Sequence, residues 1–264
     1  MIKVRNLVKK YGDFTAVNSI SFEVEKGEIF AFLGPNGAGK TTTIKILTTL
    51  LHPTSGEVAL DGLNPSVQQS EARKRFGIVF QDPSLDDELT AYENMDFHGV
   101  LYHVPRKVRA ERIDKLLRLF ELWDRRNDPA KQFSGGMKRR LEIARGLLHS
   151  PKILFLDEPT LGLDPQTRNQ LWTHVKALNE AERVTVFLTT HYMEEAERVA
   201  QRIAVIDHGV IVAQGSPREL KEQTSAETLE QAFLALTGTN IRKEEASSAD
   251  QMRNVAKMFR GKRQ

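Results

Sequence analysis

The chain has 264 residues, 40% hydrophobic and 28% charged, which is ordinary composition for one large domain or a domain with subdomains around a proper core. Zero cysteines exclude disulfides and thiol chemistry, and no apolar run approaches the roughly 18 residues of a membrane span. The net charge of +3 belongs to the tail: residues 241–264 hold seven Lys/Arg against three acids, leaving the remainder at −1, so the body does not read as a nucleic-acid-binding surface.

Met1–Arg5 lacks the apolar core of a secretion signal, and the chain is expected to stay in the cytoplasm. Ile20, Phe22 and Val24 alternate with Ser21 and Glu23 as in a strand, and Lys26-Gly27-Glu28 makes a turn. Ahead of them Tyr11 precedes a Gly12-Asp13 turn; its ring is either a core or edge aromatic or a platform for a nucleotide base.

Phe30–Leu33 is an apolar strand that empties into Gly34-Pro35-Asn36-Gly37-Ala38-Gly39-Lys40-Thr41-Thr42, a match to G-x-x-x-x-G-K-[ST]. Glycines there let backbone N–H groups turn inward around an anion, and a helix starting near Gly39 adds its positive dipole end. Lys40 would reach the β- and γ-phosphates, and the Thr41 hydroxyl would ligate Mg2+. Ile44, Leu47, Leu50 and Leu51 continue with helical spacing until Thr54–Glu57 breaks it. Val58–Leu60 is a short strand, and Gly77–Gln81 a buried one ending in a polar side chain.

From Leu89 to Leu148 the pattern is mostly helical. Thr90–Glu93 has the capping-box form, and Ile113, Leu116, Leu117 and Phe120 share one helical face. This reads as a helical subdomain, about residues 85–150, inserted into an α/β core. It closes with Phe133-Ser134-Gly135-Gly136-Met137. Ser134 is placed as an N-cap, and two glycines in a helix's first turn demand a close approach to that backbone; with the serine they form a second anion site.

Ile153–Leu156 is a buried strand ending in Asp157-Glu158. A carboxylate at such a strand end is where a phosphate-loop enzyme needs its Mg2+ partner, so Asp157 is the metal candidate. Glu158 is placed to orient or deprotonate a water attacking the γ-phosphate. Pro165 starts another helix after a turn through Asp164. Val184–Leu188 is a further buried strand with His191 beyond its mouth, and Ile203–Ile206 and Val210–Val212 form a closing hairpin.

Together these residues resemble the ATPase subunit of ABC transporters, over residues 1 to about 220. The motifs recur in order: Gly34–Thr42 (Walker A), Gln81 (Q-loop), Phe133–Met137 (signature), Ile153–Glu158 (Walker B), Leu161–Asp164 (D-loop) and His191 (switch histidine). The resemblance implies an α/β P-loop NTPase core with an N-terminal antiparallel β subdomain and the helical insert. It implies that Gly34, Asn36, Gly37, Gly39, Lys40, Thr41 and Thr42 bind ATP, that Tyr11 stacks on adenine, that Gln81 senses the metal and attacking water, and that His191 contacts the γ-phosphate. Ser134, Gly135, Gly136 and Asp164 would meet the ATP held by a second copy, so that a homodimer sandwiches two ATP with Mg2+. The signature departs from Leu-Ser-Gly-Gly-Gln at Phe133 and Met137, and the D-loop has Leu161-Gly162 where many members have Ser-Ala.

Leu229–Gly238 looks like the C-terminal helix of drug-resistance, daunorubicin-type export ATPases, with Leu229, Ala232, Phe233 and Leu236 as an apolar stripe. In the basic tail Met252, Val255, Ala256 and Phe259 share one helical face, which reads either as a solvated terminus or as a helix touching anionic lipid or a membrane subunit. The expected protein is an export ATPase driving a separate membrane subunit from the cytoplasmic face, with no nucleic-acid partner. An importer ATPase and a soluble ABC ATPase acting on nucleic acid or ribosomes stand as alternatives.

Overall fold

Strand β3 (Ile29–Leu33) is buried at every position and sits inside a six-stranded sheet ordered β5-β6-β7-β3-β8-β9. Its companions are β5 (Phe76–Val79), β6 (Ile153–Asp157), β7 (Thr185–Thr190), β8 (Arg202–Asp207) and β9 (Val210–Gly215), all parallel except β9, which pairs antiparallel with β8. The computed structural model describes residues 1–238, so the tail segment carrying Met252, Val255, Ala256 and Phe259 lies outside the described residues. A parallel strand covered on both faces reads as an uninterrupted apolar run, which is why the sequence of β3, β6 and β7 does not alternate.

Period two nonetheless divides these strands between two cores. Ile29, Ala31, Leu33, Leu154, Leu156, Val186 and Leu188 face a helical layer. That layer contains α3 (Ala91–Leu101), α4 (Arg106–Leu119), α5 (Gly135–Leu147), α6 (Pro165–Glu182) and α7 (Met193–Val199). Phe30, Phe32, Phe155 and Phe187 face the other way, against α1 (Lys40–Leu47) and an antiparallel sheet. That sheet has the order β2-β1-β4, from β1 (Ile2–Tyr11), β2 (Phe14–Val24) and β4 (Ser55–Leu60). Phe22 of β2 joins the two sheets, with its ring centroid 5.7 Å from Phe30, 5.5 Å from Phe32 and 5.9 Å from Phe187. The short helix α2 (Gln69–Arg73) leads into β5.

Several boundaries differ from the sequence reading. Helix α1 stops at Leu47, because Thr49 turns to a φ of +66° and the N–H groups of Leu50 and Leu51 both return to the Lys45 carbonyl; Leu50 is left exposed. Strand β4 begins at Ser55, three residues before Val58, since the expected turn residues pair with β1 (Val8 opposite Ser55). Strand β5 ends at Val79, so Gln81 lies beyond it. Strand β7 extends to Thr190 because its pairing with β3 continues to Leu33 opposite Thr190.

The capping box at Thr90–Glu93 forms as read, with Thr90 accepting from the Glu93 N–H at 3.1 Å and Glu93 accepting from the Thr90 N–H at 2.8 Å. At the C-terminal end α8 (Pro217–Thr224) and α9 (Leu229–Thr237) pack on the same chain: Leu220 and Leu229 belong to the helical-side core, Phe233 and Leu236 lie against it, and Ala232 is buried. The apolar stripe of α9 is therefore filled from within.

Candidate active site

Strands β6, β7 and β3 are adjacent and parallel, so their C-terminal ends open onto one edge. The segments leaving them carry Glu158, His191 and the Gly34–Gly39 loop. In an open α/β sheet that edge is where ligands bind.

The loop after β3 closes tightly against β2. At Gly39 the backbone has a φ of +109°, and a Cβ there would stand 2.6 Å from the Ala16 carbonyl oxygen, so only glycine serves. The following residue, Lys40, is 5% exposed; its Nζ donates to the Gly34 carbonyl at 2.6 Å and the Pro35 carbonyl at 3.2 Å, and lies 3.7 Å from Glu158 Oε1. Burial pulls the Lys40 pKa down, opposed by the Glu158 and Asp157 carboxylates. The ammonium is thus fixed at the mouth of the loop, between backbone oxygens and the acidic end of β6.

Asp157 is buried in the last position of β6, and desolvation raises its pKa. Thr189 Oγ1 on β7 donates to Asp157 Oδ1 at 2.6 Å and accepts from the Glu158 N–H at 3.1 Å. One hydroxyl therefore places both acidic residues. Glu158 itself has a φ of +49°, a left-handed conformation that a glutamate adopts only when its surroundings hold it there. Its Oε2 lies 3.2 Å from His191 Nδ1. Lys40, Asp157, Glu158, Thr189 and His191 thus form one contiguous cluster drawn from three strand ends.

Tyr11 ends β1 and sits opposite Phe14 at the hairpin tip; 37% and 59% exposed, the two present an aromatic surface. Partial burial raises the Tyr11 pKa, with the Thr42 side chain opposing, which ties the ring to the start of α1. Gln81 is exposed, and its carbonyl rather than its side chain is anchored. Arg139 of α5 donates to the carbonyls of Phe80 at 2.6 Å and Gln81 at 3.0 Å and pairs with Glu142 at 2.9 Å. Glu142 Oε1 in turn accepts from the Ser84 N–H at 2.7 Å. In the sequence Arg139 and Glu142 are indistinguishable from a solvated i, i+3 pair; they are 7% and 3% exposed and brace the segment that presents Gln81. Thr189, an uncharged residue near the end of β7, gave no signal either.

The remaining residues singled out from the sequence gather elsewhere. Ser134 caps α5, accepting from the Met137 N–H at 3.3 Å. Asp164 caps α6, accepting from the Thr167 N–H at 3.0 Å and hydroxyl at 2.5 Å; these bonds lower its pKa. The two caps are neighbours, for a Cβ on Gly136 would stand 2.2 Å from Thr167 Cγ2. At Gly136 a threonine methyl of the same chain makes one such close approach. Gly136→Ala is expected to destabilise the fold by about 1–3 kcal/mol through this clash. Adding Thr167→Ser, which removes the methyl and keeps the hydroxyl to Asp164, should restore most of the loss; denaturant unfolding of the single and double variants measures it. Among the described residues no hydrogen bond or ion pair joins Ser134, Gly135 or Gly136 to the Gly34–Thr42 loop.

Comparison with known proteins places this geometry. A family model described as "ABC transporter" matches residues 17–161. The chain is 38% identical to the daunorubicin resistance ATP-binding protein of Streptomyces coeruleorubidus, over 91% of this chain and 79% of that one. It is 41% identical to the linearmycin resistance ATP-binding protein of Bacillus subtilis, over 91% of this chain and 76% of that one. Among solved structures, a dimeric post-hydrolysis ATP-binding cassette with ADP and Pi bound superposes with a TM-score of 0.72 at 31% identity, covering 82% of this chain and 98% of that one. With its phosphate loop, paired acidic residues and histidine on adjoining strand ends, the chain belongs to the ABC transporter family, as an ATPase.

Proposed function

We propose that this ATPase works as a head-to-tail dimer that closes around two ATP molecules and drives a separate membrane subunit in export. The observation that carries the catalytic part is the convergence of Lys40, Asp157, Glu158 and His191 on one sheet edge. Gly34, Asn36, Gly37, Gly39 and Thr42 cradle the phosphates with backbone and hydroxyl donors, while Lys40 neutralises charge on the β- and γ-phosphates. Tyr11 stacks on adenine.

Glu158 aims the attacking water and takes its proton, and His191, hydrogen-bonded to that carboxylate, meets the γ-phosphate. The donor set of Thr41, Gln81 and Asp157 is all oxygen, which suits Mg2+, and these residues would hold it. An ion held by so few protein oxygens would be completed by phosphate and water rather than by a protein cage. Bound there, Mg2+ supplies positive charge to the phosphate oxygens.

Dimerisation is supported by Ser134, Gly135 and Gly136 at the start of α5, a helix N-terminus suited to an anion, with Asp164 at the start of α6 beside it; no hydrogen bond among the described residues joins the three to their own chain's phosphate loop. The dimeric relative supports the same arrangement. On this reading residues 1–220 are the ATPase, with an inserted helical part at about 85–150, and residues 221–264 an extension. The resistance named for both relatives supports export. The transmembrane path is assigned to another chain, with this subunit peripheral on the cytoplasmic face; no described helix is long and apolar enough to cross a membrane.

Its docking surface is assigned to Asp82–Leu85 with the neighbouring exposed side chains of α3, Phe97, Val100 and Leu101. Mild-detergent solubilisation of native membranes and mass spectrometry of what copurifies with the tagged chain should yield a stoichiometric polytopic membrane protein. Ribosomal proteins or nucleic acid in its place would overturn the transporter reading and leave the ATP chemistry standing.

A further inference from the structure

Behind the catalytic cluster lies a buried carboxylate that the scheme above does not use. Glu195, in the first turn of α7, is 3% exposed. Its Oε2 accepts from the hydroxyls of Thr160 at 2.8 Å and Thr190 at 3.3 Å, and its Oε1 lies 3.1 Å from Arg168 Nε. Thr160 follows Glu158 by two residues and Thr190 immediately precedes His191; each threonine is 1% exposed. Thr190 Oγ1 also accepts from the Tyr192 N–H at 3.0 Å, so this hydroxyl fixes the chain on both sides of His191.

Arg168 closes the arrangement. Its guanidinium carbon stands 4.1 Å from the centroid of Tyr192, whose ring is 4.2 Å from that of His191, and its Nη2 donates to the Leu163 carbonyl at 3.3 Å. Beyond the bonds from Thr189 to Asp157 and Glu158, the loops carrying Glu158 and His191 are therefore joined in front by the contact between the two side chains and behind by one carboxylate. A carboxylate is costly to bury, and burial pushes the Glu195 pKa up. Filling the space between two threonines and a helix needs no polar atom; a fixed acceptor for two hydroxyls at once does.

We propose that Glu195 is a positioning residue for ATP hydrolysis: by binding Thr160 and Thr190 to one carboxylate it sets the separation of Glu158 from His191 and so the aim of the attacking water. It touches no substrate and acts through those two residues, and the proposal rests on their assignment to the water and the γ-phosphate. A shift of about 1 Å in such a pair is enough to cost up to about 100-fold in rate without altering how substrate is held.

The test compares steady-state ATP hydrolysis with ATP affinity in the full chain, together with any membrane subunit that copurifies. Glu195→Ala is expected to lower kcat about tenfold or more while Kd for ATP stays within about twofold. Glu195→Gln, whose amide oxygen keeps both threonine bonds, should retain at least about half of kcat. Unchanged kcat in Glu195→Ala, parallel losses of kcat and affinity, or a glutamine variant no better than alanine would each overturn the proposal.

Should Glu195→Ala fail to fold, Thr160→Val removes one of the two ties without creating a cavity. Lowered kcat at unchanged affinity supports the proposal there, and unchanged kcat overturns it. Glu158→Gln and His191→Ala serve as controls. If both keep normal turnover, the site assignment falls and Glu195 with it; if both lose turnover while Glu195→Ala does not, Glu195 alone is at fault.

Discussion

Glu158→Gln is expected to lower ATP turnover by about 10³-fold, within the range that loss of a positioned general base produces, while leaving ATP affinity within a few-fold of the natural protein. The amide matches the carboxylate in shape, and the backbone at Glu158, held by the Thr189 hydroxyl and carbonyl, has no reason to move. What is lost is the capacity to take a proton from water. Because ATP is then bound but not cleaved, the variant should accumulate as an ATP-dependent dimer, visible as an earlier elution on size-exclusion chromatography with ATP and not with ADP. Turnover above about a tenth of the natural rate would remove Glu158 from the role of base.

Lys40→Ala separates binding from chemistry in the opposite sense. The ammonium is buried and held at 2.6 Å and 3.2 Å by two carbonyls of its own loop, so no other cation can substitute from solvent. Removing a buried charge that faces an anionic ligand costs about 2–5 kcal/mol, a loss of at least about 30-fold in affinity. Titration with a fluorescent ATP analogue measures it directly. The same substitution leaves Glu158 without the cation 3.7 Å from its Oε1, so turnover at saturating ATP should also fall, though from a state that no longer saturates at ordinary concentrations. A Lys40→Ala variant with unaltered ATP affinity would show that the loop binds through its amides alone. Together the two variants distinguish a site that holds nucleotide from one that attacks it.

How far the sequence carried depended on the kind of interaction. The phosphate loop was legible because glycine spacing and a lysine at a helix start are a local code, and the chain order of Asp157, Glu158 and His191 followed from counting strand ends. The α/β class with an antiparallel sheet was legible for the same reason: uninterrupted apolar runs in β3, β6 and β7 contrast with alternation in β2. Boundaries were less legible, since Ser55–Glu57 looks like a turn in isolation and becomes strand only through pairing with β1.

What stayed hidden was the support around the site. Thr189, Arg139 and Glu195 act across 32, 58 and 35 residues of chain, onto Asp157, Gln81 and Thr160 respectively. Their side chains are of types that on any helix or strand would pass for ordinary surface or filler. Gly136 was read as a point of close approach, but its neighbour within the chain was not legible, because a threonine methyl on α6 is invisible until the two helices are packed.

Helix α5 has one more consequence. Its first turn carries Ser134–Gly136, and Arg139 and Glu142 grip the backbone from Phe80 to Ser84. From Ser134 to Glu142 is eight residues, about 12 Å of helix at 1.5 Å per residue, too short and too well bonded to bend. The helix is therefore a rigid arm between its N-terminus and the strip of chain that leads out past Asp82 to Leu85. At its far end that arm is pinned to the strip by Arg139 and Glu142 and, about one turn on, by Arg145, which donates to the Ser84 carbonyl at 2.7 Å.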